Sequence, residues 1–332
     1  MRILHAVTTE AFAGTERYVA TLASAQAALE HDVIVVGGGV LAAHLPQSVQ
    51  FMLGRTVREA CMSVARVGAV DIAHGHLTSA ELALSLTKRR HRGALVSTRH
   101  IAAPRGKTRL GKLAAGYIEP SLDLEIAISQ FVARSVGNPL MDVVHNGVQD
   151  VAASTTFQPV ALMAQRLEAE KATDLGIAAW FASALPQMGW TLLIAGSGSL
   201  RASLEARVVT QPLANSVQFL GQIDDMETIW GRVSLVFAPA PAEPLGLTVL
   251  EAMARGIGVV AAAGGGHLET LGAGAVGLFA PGSIAEAAQA LELLEDAPTR
   301  ESEGKRLQVR QREYFSLDRQ AALVTEAYGR AR

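Results

Sequence analysis

The sequence contains few of the residues that cross-link a chain or hold metal ions in clusters. Its single cysteine is Cys61, among 332 residues, so an internal disulfide and a cysteine-based zinc cluster are both excluded. Cys61 lies in a helical pattern, where we expect a small buried apolar side chain. No Asp-x-Asp occurs in the chain, so one common pair of carboxylate ligands for a divalent metal ion is missing.

Long apolar runs are also missing, since none reaches the roughly 18 residues that a transmembrane helix needs. Met1 leads almost directly into the apolar run Ile3–Val7, which leaves no room for the charged and apolar regions of a signal peptide. We therefore expect a soluble, cytoplasmic protein. A chain of 332 residues exceeds what one hydrophobic core usually serves, so we expect two domains of roughly 150 residues each.

Short apolar runs alternate with helical patterns along both halves of the chain, which is typical of βα units and a parallel sheet. The pattern predicts an α/β protein with two doubly wound, Rossmann-like domains. Their junction is expected around Gly147 to Thr156, where Gly, Asp, Ser and Thr accumulate. The predicted strands are residues 2–7, 32–36, 49–53, 70–74, 94–98, 124–128 and 141–144, then 159–164, 191–195, 216–220, 234–238, 257–262 and 276–279.

Two carboxylates bracket a predicted helix start in the second half of the chain. Glu243 follows the apolar run Leu235 to Ala238, and Glu251 falls in the second turn of the helix that begins near Gly246. Carboxylates accept paired hydrogen bonds from vicinal hydroxyls, and the free N–H groups of a helix start face an anion. The spacing therefore suits a nucleotide-sugar, with one glutamate on the sugar and the other on the ribose. The alternative is two solvated glutamates on an amphipathic helix.

Cationic and glycine-rich segments follow other predicted strands, at the sheet edge where open parallel sheets bind ligands. Arg166 and Lys171 would place a guanidinium and an ammonium near one diphosphate; alternatively they belong to a surface loop. The segment Gly196 to Arg201 lacks the third glycine of a dinucleotide fingerprint. We interpret it as a tight turn whose backbone approaches the nucleotide. Gly14, after the first strand, lies in another such turn.

Histidines occupy positions at or near the ends of two strands in the first half. His100 lies just past the end of the strand at 94–98, and a lone histidine there is either structural, exposed or functional. His74 and His76 share one face at strand spacing and could chelate a metal ion, but no third ligand is evident nearby in the sequence. A metal site here is therefore not expected.

Positive charge is concentrated between Lys88 and Lys112. This segment contains nine Lys or Arg residues and no acidic residue. One interpretation is a solvated basic face. The other is a surface that attracts an anionic acceptor or the inner leaflet of the membrane, as a peripheral contact. The residues are at positions 88, 89, 90, 92, 99, 105, 107, 109 and 112.

Several ordered motifs together resemble the retaining glycosyltransferases of family 4. The strongest is the segment from Glu243 to Val260, followed by Gly264-Gly265-Gly266-His267-Leu268-Glu269. The others are Gly14-Thr15-Glu16-Arg17, Val96-Ser97-Thr98-Arg99-His100, His145-Asn146-Gly147-Val148, Arg166-Leu167-Glu168-Ala169-Glu170-Lys171 and Leu193-Ile194-Ala195-Gly196-Ser197-Gly198. Directly before Gly14-Thr15-Glu16-Arg17, Ala13 stands where the family usually has a glycine.

The resemblance implies the GT-B architecture, in which two Rossmann-like domains face each other across a cleft. Residues 1–150 would bind the acceptor, residues 151–314 would bind the nucleotide-sugar donor, and residues 315–332 would form a helix crossing back to the first domain. The implied reaction is transfer of a hexosyl group to an acceptor hydroxyl with retention, by a front-face route, in cell-envelope polysaccharide biosynthesis. The acceptor would be a glycan, a lipid-linked saccharide or a small molecule.

The resemblance and the residue patterns together define a predicted site. We expect no cofactor, no divalent metal ion and no nucleic-acid partner. The predicted catalytic residues are His100, Glu243, Arg166 and Lys171, and the predicted substrate-binding residues are Gly14, Gly196, Gly198, Gly221, Pro244, Leu245, Gly246, Leu247 and Glu251. The segment Gly264 to Gly266, with His267 and Glu269, would form a flexible loop near the sugar.

Three alternatives to a glycosyltransferase stay open at this point. A sugar-nucleotide epimerase of the same two-domain shape would rearrange its substrate without an acceptor. A non-catalytic nucleotide-sugar sensor or accessory subunit would keep the donor site and lose the acceptor site. A nicotinamide-dependent dehydrogenase is disfavoured by the incomplete glycine fingerprint.

Overall fold

The chain forms two compact units in a computed structural model. Unit 1 comprises Met1–Gly147 together with the chain from Leu317 onward, and unit 2 comprises Val148–Ser316. The boundaries expected from sequence lay after residues 150 and 314. Lys107, and Thr156 at the end of the expected junction, lie outside the described part of the chain. The described residues are 1–106, 108–138, 141–154, 158–223 and 225–331.

Unit 1 is built on a seven-stranded parallel sheet with the order β3-β2-β1-β4-β5-β6-β7. The order reverses between β1 and β4, which makes the carboxyl ends of these two strands the topological switch point. The strands are β1 (Arg2–Val7), β2 (Asp32–Gly37), β3 (Gln50–Leu53), β4 (Ile72–His76), β5 (Ala94–Arg99), β6 (Leu124–Ala127) and β7 (Asp142–Val143).

Unit 2 repeats this plan with a six-stranded parallel sheet of order β10-β9-β8-β11-β12-β13. Its switch point lies between β8 and β11. The strands are β8 (Val160–Ala164), β9 (Thr191–Ala195), β10 (Val217–Gly221), β11 (Leu235–Ala238), β12 (Gly258–Ala262) and β13 (Leu278–Phe279). All thirteen predicted strands are present among the described residues, with ends shifted by a residue or two, so the predicted fold class of two doubly wound parallel sheets is confirmed.

Helices connect the strands of both sheets. In unit 1 they are α1 (Gly14–Ala28), α2 (Val57–Val67), α3 (Thr78–Leu86), α4 (Lys88–His91), α5 (Arg109–Ile118), α6 (Gln130–Ser135) and α14 (Leu317–Ala331). In unit 2 they are α7 (Thr173–Ala182), α8 (Arg201–Val209), α9 (Glu227–Trp230), α10 (Leu247–Ala254), α11 (His267–Leu271), α12 (Ile284–Leu293) and α13 (Ala297–Tyr314). Short 3-10 turns occupy Gly39–His44, Glu119–Ser121, Ala169–Lys171 and Ala214–Ser216.

Local sequence explains where several helices begin. The side chain of Thr56 accepts a hydrogen bond from the backbone N–H of Glu59 at the start of α2, and Ser283 and Asp296 cap α12 and α13 in the same way. These residues satisfy N–H groups that have no partner inside the helix. The last helix, α14, packs on α1 and against β5 and β6 of unit 1.

The two cores differ in chemistry. Unit 2 encloses an apolar cluster around Trp180 and Phe237, as expected of strands covered on both faces. Unit 1 has an apolar cluster around Leu4 and Ile34, but polar side chains also lie inside it, among them His5. Within the described ranges, no helix combines the length and the hydropathy needed to cross a bilayer.

Candidate functional site

The switch point of unit 2 brings together two of the predicted catalytic residues. Lys171 ends a 3-10 turn in the loop after β8, and Glu243 lies in the loop after β11. The Lys171 Nζ and Glu243 Oε2 atoms are 2.5 Å apart, and the side chains are 16% and 18% exposed. The pair is shielded from bulk water yet still reachable by a ligand. Sequence analysis selected both residues but did not predict that they pair.

The beginning of α10 is fixed beside this ion pair. Gly246 precedes the helix with a φ of +97°, a conformation that favours glycine. A Cβ atom at this position would lie 3.2 Å from the ring of His267. Thr248, in the first turn, donates a hydrogen bond from its hydroxyl to the carbonyl of Ala164 at the end of β8, at 3.1 Å. The helix start is therefore held at the carboxyl edge of the sheet, with Glu251 half-buried one turn further along.

The loop Gly264 to Gly266 packs against the backbone of the Glu243 loop. The N–H of Gly266 donates to the Glu243 carbonyl at 2.6 Å. A Cβ atom on Gly265 would lie 2.4 Å from the same carbonyl oxygen, and one on Gly264 would lie 2.1 Å from the Pro241 oxygen. These glycines were expected to form a flexible loop. In the structure they form a closely packed support that sets the position of Glu243.

His267 lies under the start of α10 and is buried. Its Nδ1 is 3.2 Å from the carbonyl oxygen of Ala262. A carbonyl can only accept, so Nδ1 carries the hydrogen and Nε2 is left as an acceptor. Burial lowers the pKa of His267, while the negative charge of Glu243 partly opposes that shift. The ring is therefore neutral at physiological pH.

Arg166 is placed differently from Lys171. Its guanidinium forms an ion pair with Glu170 at 2.7 Å, four residues along the chain, and these two side chains are 65% and 58% exposed. The two predicted phosphate-binding residues therefore have separate partners in the structure. Lys171 joins Glu243 at the switch point, whereas Arg166 lies at the surface of its loop.

The predicted substrate-binding glycines of unit 2 have packing roles in the structure. A Cβ atom on Gly196 would lie 2.0 Å from the carbonyl oxygen of Gln165, and one on Gly198 would lie 2.4 Å from that of Leu167. The N–H of Gly196 donates to the carbonyl of Gly221 at 2.6 Å, and Gly221 has a φ of +73°. Close approach of the loops explains these glycines without any ligand. Their contact with a nucleotide stays a prediction.

The same pair of loops is joined by Glu168 and Ser199. The Glu168 carboxylate accepts hydrogen bonds from the backbone N–H and the hydroxyl of Ser199, at 2.8 Å and 2.6 Å. These bonds lower the pKa of Glu168. The loops after β8 and β9 therefore act as one support next to the Lys171–Glu243 pair.

In unit 1, the turn containing Gly14 is capped by the protein itself. The carboxylate of Glu16 accepts a hydrogen bond from the N–H of Ala13 at 2.9 Å and another from the hydroxyl of Thr9. Gly14 is the first residue of α1. The Ala13 N–H is thus already paired with a carboxylate.

His100 follows β5 directly, where sequence analysis expected it. It is 9% exposed, and its ring meets the edge of Tyr18 with 4.7 Å between ring centroids. The Nε2 of His100 lies 3.1 Å from Nδ1 of His76. Burial, with a contribution from the charge of Arg99, lowers the pKa of His100 to about 3. His100 is therefore neutral at physiological pH.

A third histidine, His5, joins the two that sequence analysis placed on one face. The pairing of β1 with β4 sets His5 opposite His74. One ring nitrogen from each of His5, His74 and His76 lies within 4.8 Å of the others, so the expectation that no third ligand is nearby was wrong. Only strand pairing reveals this ligand. The available signal was the presence of histidines inside two largely apolar strands, one in β1 and two in β4.

Residues after β4 and around the end of β5 also line a cavity of about 230 Å³ in unit 1, among them Thr98, Arg99 and His100. One wall carries a buried ion pair that sequence analysis missed. Arg105 Nε is 2.7 Å from the Glu81 carboxylate, and both side chains are almost fully buried.

The basic segment is not one positively charged face. Arg99 and Arg105 are buried, and Lys88 forms an ion pair with Asp123 at 3.0 Å. The positive charge that sequence analysis placed on one surface is therefore partly buried and partly neutralised by an acidic partner. The exposed basic residues among those described are Arg89, Arg90, Arg92, Arg109 and Lys112.

Comparison with known proteins identifies one family model and several relatives. Residues 150–312 match the model of glycosyl transferases group 1. The lipopolysaccharide core biosynthesis mannosyltransferase LpcC of Rhizobium leguminosarum bv. viciae is 31% identical over 171 residues, which are 49% of this chain and 48% of that protein. A GDP-mannose-dependent alpha-(1-6)-phosphatidylinositol dimannoside mannosyltransferase of Mycobacterium tuberculosis is 30% identical over 181 residues, 53% of this chain and 45% of that protein. The chain spans about half the length of the curated relatives it matches.

Solved structures of similar fold cover almost the whole chain. Anabaena HepE, crystallised with UDP and glucose, superposes with a TM-score of 0.84 at 20% identity over 98% of each chain. Sucrose-phosphate synthase from Thermosynechococcus elongatus gives a TM-score of 0.76 at 19% identity, over 99% of this chain and 98% of that one. These likenesses confirm the GT-B fold. The chain therefore has a GT-B fold in which residues 150–312 match the glycosyl transferases group 1 model, and that family and the relatives named above are glycosyltransferases.

Proposed function

We propose that this protein transfers a hexosyl group from a nucleoside-diphosphate sugar to an acceptor hydroxyl, with retention at the anomeric carbon. The observation that carries the proposal is the Lys171–Glu243 pair at the switch point of unit 2, inside the segment that matches glycosyl transferases group 1. A ligand with both an anionic group and hydroxyls suits this pair, because an ammonium binds phosphate oxygens and a carboxylate accepts from hydroxyls.

The proposed roles follow from the chemistry of each group. Lys171 and the N–H groups at the start of α10 bind the diphosphate and stabilise the negative charge that develops on it as the glycosidic bond breaks. Glu243 accepts hydrogen bonds from the transferred sugar, and Glu251 accepts them from the ribose. Arg166 reaches the diphosphate by exchanging its surface partner Glu170. The roles that sequence assigned to Gly14 and His100, at the donor phosphates and at the sugar, stay predictions.

We also propose that the reaction needs no divalent metal ion and follows a front-face route, in which the leaving phosphate takes the proton of the acceptor hydroxyl. The absence of Asp-x-Asp from the sequence supports the first point, since positive charge then comes from Lys171 and the helix start. Turnover should survive an excess of chelator. Complete inhibition that magnesium reverses would contradict this part of the proposal.

The acceptor we propose is a saccharide or lipid-linked saccharide of the cell envelope, modified on the cytoplasmic side. Two relatives support this proposal. One is named a lipopolysaccharide core biosynthesis mannosyltransferase, and the other a phosphatidylinositol dimannoside mannosyltransferase. The mannosyltransferase relatives make GDP-mannose a donor to test beside UDP-glucose.

The test is a binding screen followed by transfer. Calorimetry with UDP, GDP, ADP and TDP and their sugars should identify one nucleotide that binds, and mass spectrometry of acceptors from a host lysate should show the mass of one added hexose. Isomerised donor in the absence of acceptor would indicate an epimerase instead. Tight donor binding without hydrolysis or transfer would indicate a sensor or accessory subunit.

We propose that peripheral membrane contact is made through α5. This helix exposes Leu110 and Leu113 beside Arg109 and Lys112, the combination that binds an anionic lipid surface. Changing both leucines to Asp should abolish binding to vesicles containing anionic lipid. Val209→Asp, at an equally exposed apolar residue of unit 2, is the control. Unchanged vesicle binding in the double variant would remove this proposal.

A further inference from the structure

A chain of hydrogen bonds connects Gln26, in the last turn of α1, to His100 at the cavity of unit 1. His5 Nε2 lies 2.7 Å from Gln26 Oε1. His5 Nδ1 lies 3.1 Å from His76 Nε2, and His76 Nδ1 lies 3.1 Å from His100 Nε2. We call these three histidines the relay. Each link uses the ring nitrogen that the preceding link leaves available.

The hydrogen that His5 donates to Gln26 determines the position of the hydrogens in the other links. A neutral imidazole has one donor nitrogen and one acceptor nitrogen. Gln26 Oε1 can only accept, so His5 must carry its hydrogen on Nε2 and accept at Nδ1. His76 then donates from Nε2, and His100 does the same. The relay therefore ends with Nδ1 of His100 as an acceptor.

A second arm from Gln26 agrees with this direction. The amide nitrogen of Gln26 lies 3.4 Å from the hydroxyl oxygen of Tyr328. Tyr328 can then donate to Nδ1 of His74 at 2.7 Å, and Nε2 of His74 can donate to the hydroxyl oxygen of Thr98 at 2.7 Å. One orientation of the Gln26 amide satisfies both arms. Reversing the amide would require both arms to reverse together.

Burial keeps the relay neutral, which the one-proton argument requires. His5, His74 and His76 have no exposed surface. Burial lowers the pKa of His5 to about 4, against a raising effect of Gln26. Burial also lowers the pKa of His74 and His76 well below the ordinary value, with further lowering by the neighbouring histidines. A doubly protonated ring would place two hydrogens in one link of the chain.

The cluster of His5, His74 and His76 also meets the distance condition for a metal ion. Each of their six ring nitrogens, however, already has a hydrogen-bond partner in the protein. A bound cation would have to break these bonds at a site without exposed surface. The arrangement thus favours a proton-ordered network over a metal site.

His100 is the end of the relay that a ligand can reach. It lines the 230 Å³ cavity beside Thr98 and Arg99, and its Nδ1 has no hydrogen-bond partner among the residues that the structure describes. We propose that Gln26, His5 and His76 are positioning residues that hold His100 in the Nε2–H tautomer, so that its Nδ1 accepts a hydrogen bond from a sugar hydroxyl. The identity of the ligand rests on the proposed function, whereas the tautomer does not.

The direct test is histidine side-chain 15N NMR on the full-length protein at pH 7. His5, His74, His76 and His100 should all show the Nε2–H form. Two histidines outside the network serve as references. His91, whose Nε2 faces the Leu84 carbonyl at 3.1 Å, should also be Nε2–H, and His267 should be Nδ1–H because its Nδ1 faces Ala262.

The variant Gln26→Met tests whether Gln26 sets the tautomer of His100 or only fills space in the core. It removes the acceptor at the far end of the relay, so His100 should show a mixture of both tautomers. With the donor identified in the binding screen, kcat should fall about five- to tenfold, the value of one hydrogen bond, while nucleotide affinity stays unchanged. His91→Gln, a buried change in the same unit, should leave the tautomer of His100 and kcat unaltered.

Three results would overturn the proposal. The first is an Nδ1–H form of His100 in the unmodified protein, a measurement that stands even if Gln26→Met does not fold. The second is an unchanged tautomer of His100 in a folded Gln26→Met variant. The third is a coordinated shift of His5, His74 and His76 on addition of Zn²⁺, since the metal would then replace the network. Absence of transfer by the unmodified protein would defeat the proposed function and leave the tautomer result standing.

Discussion

The switch point of unit 2 carries charged side chains, whereas that of unit 1 carries neutral ones. In unit 2 the strand ends carry a charged pair, Lys171 and Glu243, on loops that a ligand can reach. In unit 1 the corresponding strands carry neutral histidines inside the protein, and His100, after β5, lines a cavity. The same sheet topology therefore supports two kinds of recognition. Unit 2 is suited to a charged ligand group, and unit 1 is suited to a neutral hydroxyl.

The largest expected difference between the two units is in their stability at acidic pH. His5, His74, His76 and His100 stay neutral in the folded unit 1 and become protonated when it unfolds. Their stabilisation is present above the unfolded pKa of about 6.5 and is lost as pH falls toward 4, at roughly 1.4 kcal/mol per pH unit for each histidine. Unit 1 should therefore unfold on acidification while unit 2 is still folded.

The tryptophans allow that experiment on the full chain. Trp180, Trp190 and Trp230 all lie in unit 2, so tryptophan emission reports unit 2 alone and far-ultraviolet circular dichroism reports both. On acidification from pH 6.5 to 4, the part of the dichroism that comes from unit 1 should be lost before the tryptophan emission changes. Stability of unit 1 that does not vary over this range would contradict the neutral histidine core.

The buried Arg105–Glu81 pair of unit 1 should contribute more to stability than the exposed Arg166–Glu170 pair of unit 2. Arg105→Met leaves the Glu81 carboxylate buried without its partner, and we expect a loss of about 3–5 kcal/mol in the free energy of unfolding. Arg166→Met, which removes an exposed pair, should change it little. Urea denaturation followed by circular dichroism measures both, and equal effects of the two variants would contradict the contrast.

The Lys171–Glu243 pair of unit 2 should instead matter for turnover. Glu243→Gln replaces the carboxylate that accepts hydrogen bonds from the transferred sugar, and we expect sugar transfer to fall by about 10²–10³-fold, as when one preorganised electrostatic group is removed. Nucleotide affinity should change much less. Lys305→Met, at an exposed residue of α13, is a surface control. Steady-state kinetics that leave kcat unaltered in Glu243→Gln would remove this residue from the reaction.

A smaller effect is expected at Glu251. Removing one carboxylate from the ribose should weaken binding of the free nucleoside diphosphate by about 1.5–3 kcal/mol, the value of hydrogen bonds to a charged group. Calorimetry on Glu251→Ala measures this directly. Glu313→Ala, at an exposed glutamate of α13 in the same unit, should bind nucleotide as well as the unmodified protein. Equal affinity for Glu251→Ala would defeat the ribose assignment.

The fold was predictable from sequence because both sheets are parallel and covered on both faces. Such strands read as short apolar runs separated by helical patterns. Val160–Ala164 and Thr191–Ala195 illustrate how closely these runs mark the strands. The first and last residues of the strands were less predictable. The strand predicted at 70–74 lies at Ile72–His76, because the apolar run begins before the hydrogen-bonded ladder does.

The candidate site was predictable only in part, because much of it depends on contacts between distant segments. Lys171 and Glu243 were selected separately, but their pairing follows from the adjacency of β8 and β11. The relay depends on the register that sets His5 beside β4, which no spacing along the chain reveals. The glycines at 196 and 198 were assigned to a ligand, whereas the structure also requires them for loop packing.

The most direct test of the account is a crystal structure with the nucleoside diphosphate sugar selected by calorimetry. We predict that its diphosphate contacts Lys171 and the start of α10, its sugar contacts Glu243, and its ribose contacts Glu251. A well-ordered ligand bound elsewhere in the protein, with the Lys171–Glu243 pair intact and unoccupied, would contradict the central claim.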